Sequence, residues 1–266
     1  MGALDGRVAF ITGGARGQGR AHALALAAEG ADVVVADAPR PMNLTYPLGT
    51  EDDLRRTAKE VEELGGRCLP MAMDVRDAAA VAAAIDETVT SLGSLDILVA
   101  NAGIVSTGPL DEVTDEIWHQ LVDTNLTGVF HTLRAVIPVM RRQRFGRIVV
   151  TSSMGGRMGI PELGPYNATK WAVIGLAKSV ALEVAKEGIT VNVICPTTVH
   201  TPMVEPVGSD DVPDELVQRM MRANPIPQRW IEPEDVSRGL LYLVTDPGVV
   251  TGSVLEIALG GSARIH

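Results

Sequence analysis

The sequence predicts a single α/β domain over residues 1–266, built on a doubly wound parallel sheet of about seven strands with helices on both faces. Three observations predict it. The 266-residue length fits one α/β domain, and 46% apolar residues are enough for a large core. Short β-branched runs alternate with longer Ala/Leu-rich segments along the whole chain. Several of the short runs are apolar throughout rather than alternating, as in strands covered on both faces.

The strand-like runs are RVAFIT (7–12), ADVVVAD (31–37), CLPMAMDV (68–75), LDILVAN (95–101), RIVVTSS (147–153), ITVNVICP (189–196) and SVLEIAL (253–259). Helix-like segments lie between them at 18–30, 53–66, 77–93 and 167–187. Gly30 and Gly65 close two of these, as helix C-caps often do. Right-handed crossovers would then place ligands at the carboxyl ends of the strands, near the reversal of strand order. Two segments break the rhythm. Residues 38–49 (APRPMNLTYPLG) hold three prolines and separate the second strand from its helix. That is long for a βα connection, which usually takes about two to six residues. Thr50 follows as an N-cap with acids in the first turn. Residues 197–230, rich in Pro and Met, are the second irregular region and read as a substrate lid.

Composition excludes several classes of partner. The net charge of −10 disfavours nucleic acid and anionic lipid. No stretch approaches the roughly 18 apolar residues of a membrane span. The opening MGALDGRVAFITGG shows no charged segment followed by an apolar one, so no signal peptide is expected. Cys68 and Cys195 read as two buried thiols in a reducing compartment, the cytoplasm by default. No metal site is expected.

The first strand runs into TGGARGQG, Thr12 to Gly19, and then into a helix. Gly13, Gly17 and Gly19 let the backbone turn tightly and approach a pyrophosphate, which the helix N-terminus attracts. Arg16 and Gln18 lie in the same loop. Asp37 ends the second strand, where a carboxylate can accept from both adenosine ribose hydroxyls and repel a 2′-phosphate. That selects NAD over NADP. Arg16 argues the other way, because a cation there can pair with that phosphate. The clash of two negative charges in a partly desolvated site outweighs it. Asp74-Val75 ends the third strand, where a carboxylate can bond the adenine amino group. Asn101-Ala102-Gly103 ends the fourth and lets the cofactor pass close to the backbone.

Tyr166 and Lys170 are four apart in a long helical segment and so share a face. A free phenol has a pKa near 10, too high for a base at neutral pH. A lysine ammonium about 4 Å away favours the phenolate by roughly 4 kcal/mol before desolvation subtracts, at an effective dielectric of about 20. Ser153 ends the fifth strand, where its hydroxyl can steady charge on a substrate oxygen. Asn125 sits inside a helical segment that it suits poorly, and can hold a local distortion with a water leading to Lys170.

With these residues in place the sequence resembles the short-chain dehydrogenase/reductase family over nearly its full length. The Ser–Tyr separation of thirteen and the Tyr–Lys separation of four agree with that family. The resemblance implies a catalytic tetrad of Asn125, Ser153, Tyr166 and Lys170, with Lys170 also holding the nicotinamide ribose. It implies that the turn after Pro196 meets the carboxamide through the Val199 backbone and the Thr201 hydroxyl. The family's usual Gly after Pro196 is Thr197 here. A homotetramer is the implied assembly. The stretches ARGQGR, NLTGVFHT and PTTVHTPM, with the long loop before Thr50, are similar to a narrower, carveol dehydrogenase-like group coupled to mycofactocin. That likeness implies NAD too firmly held to exchange, re-oxidised in place by the mycofactocin redox carrier. The length of residues 38–49 and their prolines, which lower the entropy cost of ordering, lead to the expectation that this loop covers the adenosine end.

The expected chemistry is interconversion of a lipophilic secondary alcohol and its ketone. Met154, Met158, Leu163, Met203, Val204, Met220, Met221 and Trp230 are candidates for an apolar, adaptable pocket wall. Two other readings stay open: a dehydrogenase with freely exchanging NAD(H), and a nonenzymatic NAD-binding sensor. A serine hydrolase would need a base beside Ser153, and no histidine is convincingly placed for it.

Overall fold

A computed structural model describes residues 2–38, 42, 46–204 and 224–264. The parts of the two irregular segments at 39–41, 43–45 and 205–223, and with them Met220 and Met221, lie outside the described residues.

Seven strands form one sheet: β1 (Val8–Thr12), β2 (Asp32–Asp37), β3 (Cys68–Ala72), β4 (Ile97–Ala100), β5 (Gly146–Thr151), β6 (Ile189–Pro196) and β7 (Val254–Ile257). Their order is β3-β2-β1-β4-β5-β6-β7, and every pairing is parallel. The seven strand-like runs of the sequence are these seven strands. The chain winds outward from β1 in one direction and then, from β4, in the other. The switch point lies between β1 and β4, and the crevice opens at their carboxyl ends. Thr12 joins the two ends: its Oγ1 accepts from the backbone N–H groups of Asn101 and Ala102, both at 3.0 Å.

Seven α-helices are described: α1 (Gly17–Ala28), α2 (Glu51–Glu63), α3 (Ala78–Leu92), α4 (Asp115–Val122), α5 (Gly128–Gln143), α6 (Gly164–Val184) and α7 (Pro233–Thr245). Alternate residues of β1 face opposite ways. Phe10 joins the core formed with α3, α5 and α6, whereas Ala9 and Ile11 join the core formed with α1, α2 and α7. Both sheet faces are therefore covered, which explains the uniformly apolar strands. Thr50 caps α2 as the sequence predicts: its side chain accepts from Asp53 N–H, and the Asp53 carboxylate accepts from Thr50 N–H at 2.9 Å. Gly30 and Gly65 take φ of +95° and +93°, left-handed values that suit glycine after a helix. Among the described residues no helix is long and apolar enough to cross a membrane. Cys68 and Cys195 are both buried and unpaired.

One buried group makes this fold acid-sensitive. His22 of α1 is fully buried against α7, its Nδ1 2.9 Å from Ser237 Oγ. Burial pushes its pKa down to about 3, from an ordinary value of 6.5. Below pH 6.5 the unfolded chain binds a proton that the folded chain refuses, so stability falls as pH falls from 6.5 towards 3. Between pH 7 and pH 5 this contribution is about 2 kcal/mol. Urea denaturation at the two pH values should show His22→Met losing that much less stability than wild type.

Candidate active site

The glycine loop between β1 and α1 is compressed to the limit that glycine allows. Gly13 and Gly17 take φ of +68° and +55°. A side-chain carbon on Gly19 would lie 1.9 Å from the Gly13 carbonyl oxygen. Gly14, which the sequence reading passed over, is equally constrained, since a carbon there would lie 2.8 Å from Val35 Cβ. Gln18 Oε1 is buried in this loop without a hydrogen-bond partner among the described residues.

At the end of β2, the Asp37 carboxylate accepts from Ala15 N–H at 3.0 Å and from Ala38 N–H at 2.8 Å. Burial raises its pKa, and those two N–H bonds and the Arg16 charge oppose the rise. Each carboxylate oxygen retains a free lone pair for a further donor. Arg16 donates to the Pro47 carbonyl. Asp74 is half of a bidentate pair with Arg76, at 3.0 Å from Nε and 2.6 Å from Nη2. Arg76 lines the cleft beside it, two residues on in the same turn.

The sixteen residues expected to hold a cofactor, from Gly13 to Thr201, line one continuous cleft, and Ser153 joins them there. Gly17 and Thr201 meet across it: a carbon on Gly17 would lie 3.2 Å from the Thr201 methyl. Thr197 donates its N–H to Ile257 O at 3.0 Å and does not take a positive φ, so glycine is not required there.

Asn125 lies behind the cleft, fully buried, in a π-helical turn (Asp123–Thr127) between α4 and α5. The distortion expected of that helix is therefore present. Its Oδ1 accepts from Ile104 N–H at 2.8 Å, and its Nδ2 donates to Ile104 O at 2.8 Å and to Thr169 Oγ1 at 3.2 Å. A carbon on Gly103 would lie 3.3 Å from both Asn125 Oδ1 and Lys170 Nζ, so both groups converge on that glycine.

Tyr166 and Lys170 stand on α6 beside the end of β5. Burial raises the Tyr166 pKa, and the Ser153 hydroxyl beside the phenol opposes the rise without cancelling it. Lys170 is buried, its Nζ donating to Thr151 O at 3.0 Å, and burial lowers its pKa to about 8. Nζ is 5.6 Å from the centre of the Tyr166 ring. The depression of the phenol expected from a nearby ammonium is thus absent. The ammonium is directed at a carbonyl, and desolvation opposes both charges. Two glycines bring strand and helix this close. A carbon on Gly155 would lie 2.4 Å from Asn167 Oδ1, and one on Gly156 would lie 2.4 Å from Ser152 Oγ and 2.7 Å from Lys170 O. Ser152 Oγ in turn donates to Lys170 O at 2.8 Å. None of these packing residues was read from the sequence, although Ser152-Ser153 and Gly155-Gly156 stand in one run.

The sequence profile of the short chain dehydrogenase family matches residues 7–212. The chain belongs to this family. It is 43% identical to the (−)-trans-carveol dehydrogenase of Rhodococcus erythropolis, over 99% of this chain and 100% of the relative. It is similar to the crystal structure of carveol dehydrogenase from Mycobacterium avium in complex with NAD, with a TM-score of 0.94 and 40% identity over 99% and 100% of the two chains. A short chain dehydrogenase from Mycobacterium paratuberculosis bound to NAD gives a TM-score of 0.91 and 36% identity, over 99% and 100%.

The apolar end of this short-chain dehydrogenase cleft is lined by Met154, Ile160, Leu163, Met203 and Val204. Two other residues expected there are elsewhere. Met158 is exposed, and Trp230 stacks on His200 with ring centres 4.4 Å apart. The ring finds its apolar partner in the adjacent imidazole and is not among the lining residues.

Proposed function

We propose that this short-chain dehydrogenase interconverts a lipophilic secondary alcohol and its ketone with NAD, using Tyr166 as the acid/base. The observation that carries the reading is the convergence of Ser153, Tyr166 and Lys170 with the glycine loop and Asp37 in one cleft. The residues present fit NAD: Gly13 and Gly19 leave a backbone cradle, Gln18 offers an unpartnered buried oxygen, and Asp37 offers two carboxylate oxygens. The Val199 backbone and Thr201 are the candidates to hold the carboxamide, and Lys170 the nicotinamide ribose. When bound, NAD supplies the hydride acceptor.

The chain's own residues do the rest. Tyr166 takes the hydroxyl proton of the alcohol, or returns it to the ketone oxygen. Ser153 holds that oxygen and steadies the charge on it. Lys170, which converges with Asn125 at Gly103, and a water held near Asn125 pass the proton outward, with Asn125 positioning that water. Methionines and aliphatic residues at the apolar end suit a terpenoid or steroid-like alcohol. The carveol dehydrogenase likeness supports that substrate class and makes trans-carveol the first alcohol to try.

NAD selectivity follows from Asp37. Asp37→Asn removes the charge that repels a 2′-phosphate and leaves Arg16 nearby. The ratio of NADP to NAD dissociation constants should fall on the order of 10²-fold, as measured by equilibrium titration.

The finer reading is that NAD is held without exchange and re-oxidised in place by the mycofactocin carrier. Its support is the chain segment, residues 46–49, lying against the glycine loop. Residues 197–230 serve as the substrate lid in this reading. The protein works as a homotetramer in a reducing cytoplasm. Trp118, Phe130 and Trp171, all exposed on α4, α5 and α6, support further subunit packing there, and the two unpaired thiols suit that compartment. The test is purification without added cofactor, followed by denaturation and mass spectrometry. About one nicotinamide per subunit, with alcohol oxidation seen only with an artificial acceptor, supports non-exchanging NAD. An empty protein turning over with added NAD supports the exchanging dehydrogenase. NAD binding without turnover on any alcohol defeats the enzymatic reading.

A further inference from the structure

The apolar wall of the cleft is tethered from outside its own segment. The chain between β5 and α6 carries Ser153 at one end and the wall residues Ile160 and Leu163 further on. Beyond a short 3₁₀ turn at Met154–Gly156 it has no regular element before α6. Glu162 in this stretch holds φ of +65°, left-handed backbone that a residue with a side chain rarely adopts. Such a conformation persists only where surrounding contacts hold the chain in place. Two contacts do so. Gly108 N–H, from the loop after β4, donates to Glu162 O at 2.9 Å. From α6, Asn167 Nδ2 donates to Ile160 O at 3.3 Å. Asn167 directly follows Tyr166 and is only 7% exposed. Its Oδ1 is buried with no hydrogen-bond partner among the described residues. That oxygen fills the place of a side chain on Gly155, whose first carbon would lie 2.4 Å from it. Gly155 N–H in turn donates to Ser153 Oγ at 3.0 Å. One amide thus spans from the turn that carries Ser153 to the wall at Ile160. An amide buried with its oxygen unpaired opposes folding, so packing alone does not account for it.

We propose that Asn167 is a positioning residue that fixes the Ile160 wall relative to the Ser153 hydroxyl, and so sets how well the cleft discriminates bulky secondary alcohols from small ones. The proposal rests on the alcohol dehydrogenase reading and adds a residue that governs specificity from outside the cleft lining. Ser153 holds the reacting oxygen, whereas Ile160 meets the apolar body of the alcohol. A bulky substrate that reaches both is aligned for hydride transfer only when their separation is right. A small alcohol reaches Ser153 alone and depends far less on where the wall stands. The residue type matters: a carboxylate could not donate to Ile160 O, and an aliphatic side chain would bond neither neighbour.

Asn167→Ala removes both contacts. kcat/KM is measured for trans-carveol and cyclohexanol, or for the bulkiest and smallest secondary alcohols that wild type oxidises, with the electron acceptor that sustains wild-type turnover. The bulky-to-small ratio should fall on the order of tenfold, the effect of a displaced apolar contact in a pocket. The loss should lie mainly in KM for the bulky alcohol. The NAD dissociation constant should stay within about twofold, because the glycine loop and Asp37 are untouched. A merely structural role would lower stability and slow both alcohols alike. A rescue supplies a second reading. Gly155→Ala drives a carbon into Asn167 Oδ1 and should slow both alcohols by displacing the Ser153 turn. Adding Asn167→Ala makes room, since the next neighbour, Tyr166 Cε1, lies at an ordinary 3.4 Å, so the double variant should be faster than Gly155→Ala alone. Should Asn167→Ala fold poorly, Ile160→Ala, at a half-buried loop position, must lower the same ratio. An unchanged ratio in folded Asn167→Ala or in Ile160→Ala, an equal loss for both alcohols, or a double variant no faster than Gly155→Ala overturns the proposal alone. A wild-type protein that oxidises no secondary alcohol overturns the dehydrogenase reading and the proposal together.

Discussion

Tyr166→Phe should lower steady-state turnover by roughly 10³-fold or more while leaving NAD affinity within a few-fold of wild type. The substitution removes the phenol oxygen beside Ser153, and so removes the group proposed to exchange the substrate proton. The glycine loop, Asp37 and the turn after β6 are untouched, which is why binding survives. The wild-type pH profile should show the same group. Burial raises the Tyr166 pKa, so the phenolate needed for oxidation becomes more abundant as pH rises. Oxidation should therefore accelerate towards alkaline pH, and ketone reduction, which needs the protonated phenol, should slow. Lys170, with its pKa lowered to about 8, gives up its own proton in that range. Parallel kcat profiles in both directions check the sign, and a Phe variant retaining a tenth of wild-type turnover would refute the role.

The second large effect is on binding. Gly19→Ala should weaken NAD by about 10²-fold or more, because the added carbon falls 1.9 Å from the Gly13 carbonyl oxygen and no side chain is available to give way. The loop must open, and the N–H groups aimed at the pyrophosphate move with it. Global stability should change far less than affinity, because helices elsewhere keep their packing. Calorimetric titration with NAD alongside thermal unfolding separates the two. Unchanged affinity would show that the loop does not cradle the cofactor.

Much of this was legible in the chain because the physics is local. Strands buried on both faces read as continuous apolar runs, as β1, β2, β4 and β5 do, and the seven strand-like runs are the seven strands. A turn that needs positive φ selects glycine, so Gly13 and Gly17 announce themselves. Asn125 was legible as a misfit in a helix, and the π-helical turn is the reason. What stayed hidden depends on contacts between distant segments. Gly14, Gly155 and Gly156 are required by neighbours from other elements, which spacing alone does not reveal. Arg76 takes hold of Asp74, and Trp230 leaves the substrate wall for His200, through pairings that neither residue's own segment announces. The Tyr166 shift was misjudged for a similar reason. Spacing puts Lys170 on the same face, but burial and the Thr151 carbonyl decide where its charge acts. Asn167 read as one residue of a long helical segment, and only its bond to Ile160 and its fit against Gly155 mark it out.

The central claim is that a carbinol hydride moves to a nicotinamide held in this cleft. Trans-carveol deuterated at the carbinol carbon, incubated with the NAD-loaded protein, tests it directly. The cofactor is released by denaturation and weighed by mass spectrometry. One deuterium on the nicotinamide, matched by formation of the ketone, is the result expected. Ketone formed with no deuterium on the cofactor, or a loaded protein that leaves carveol and a wider panel of lipophilic secondary alcohols untouched, would contradict the account.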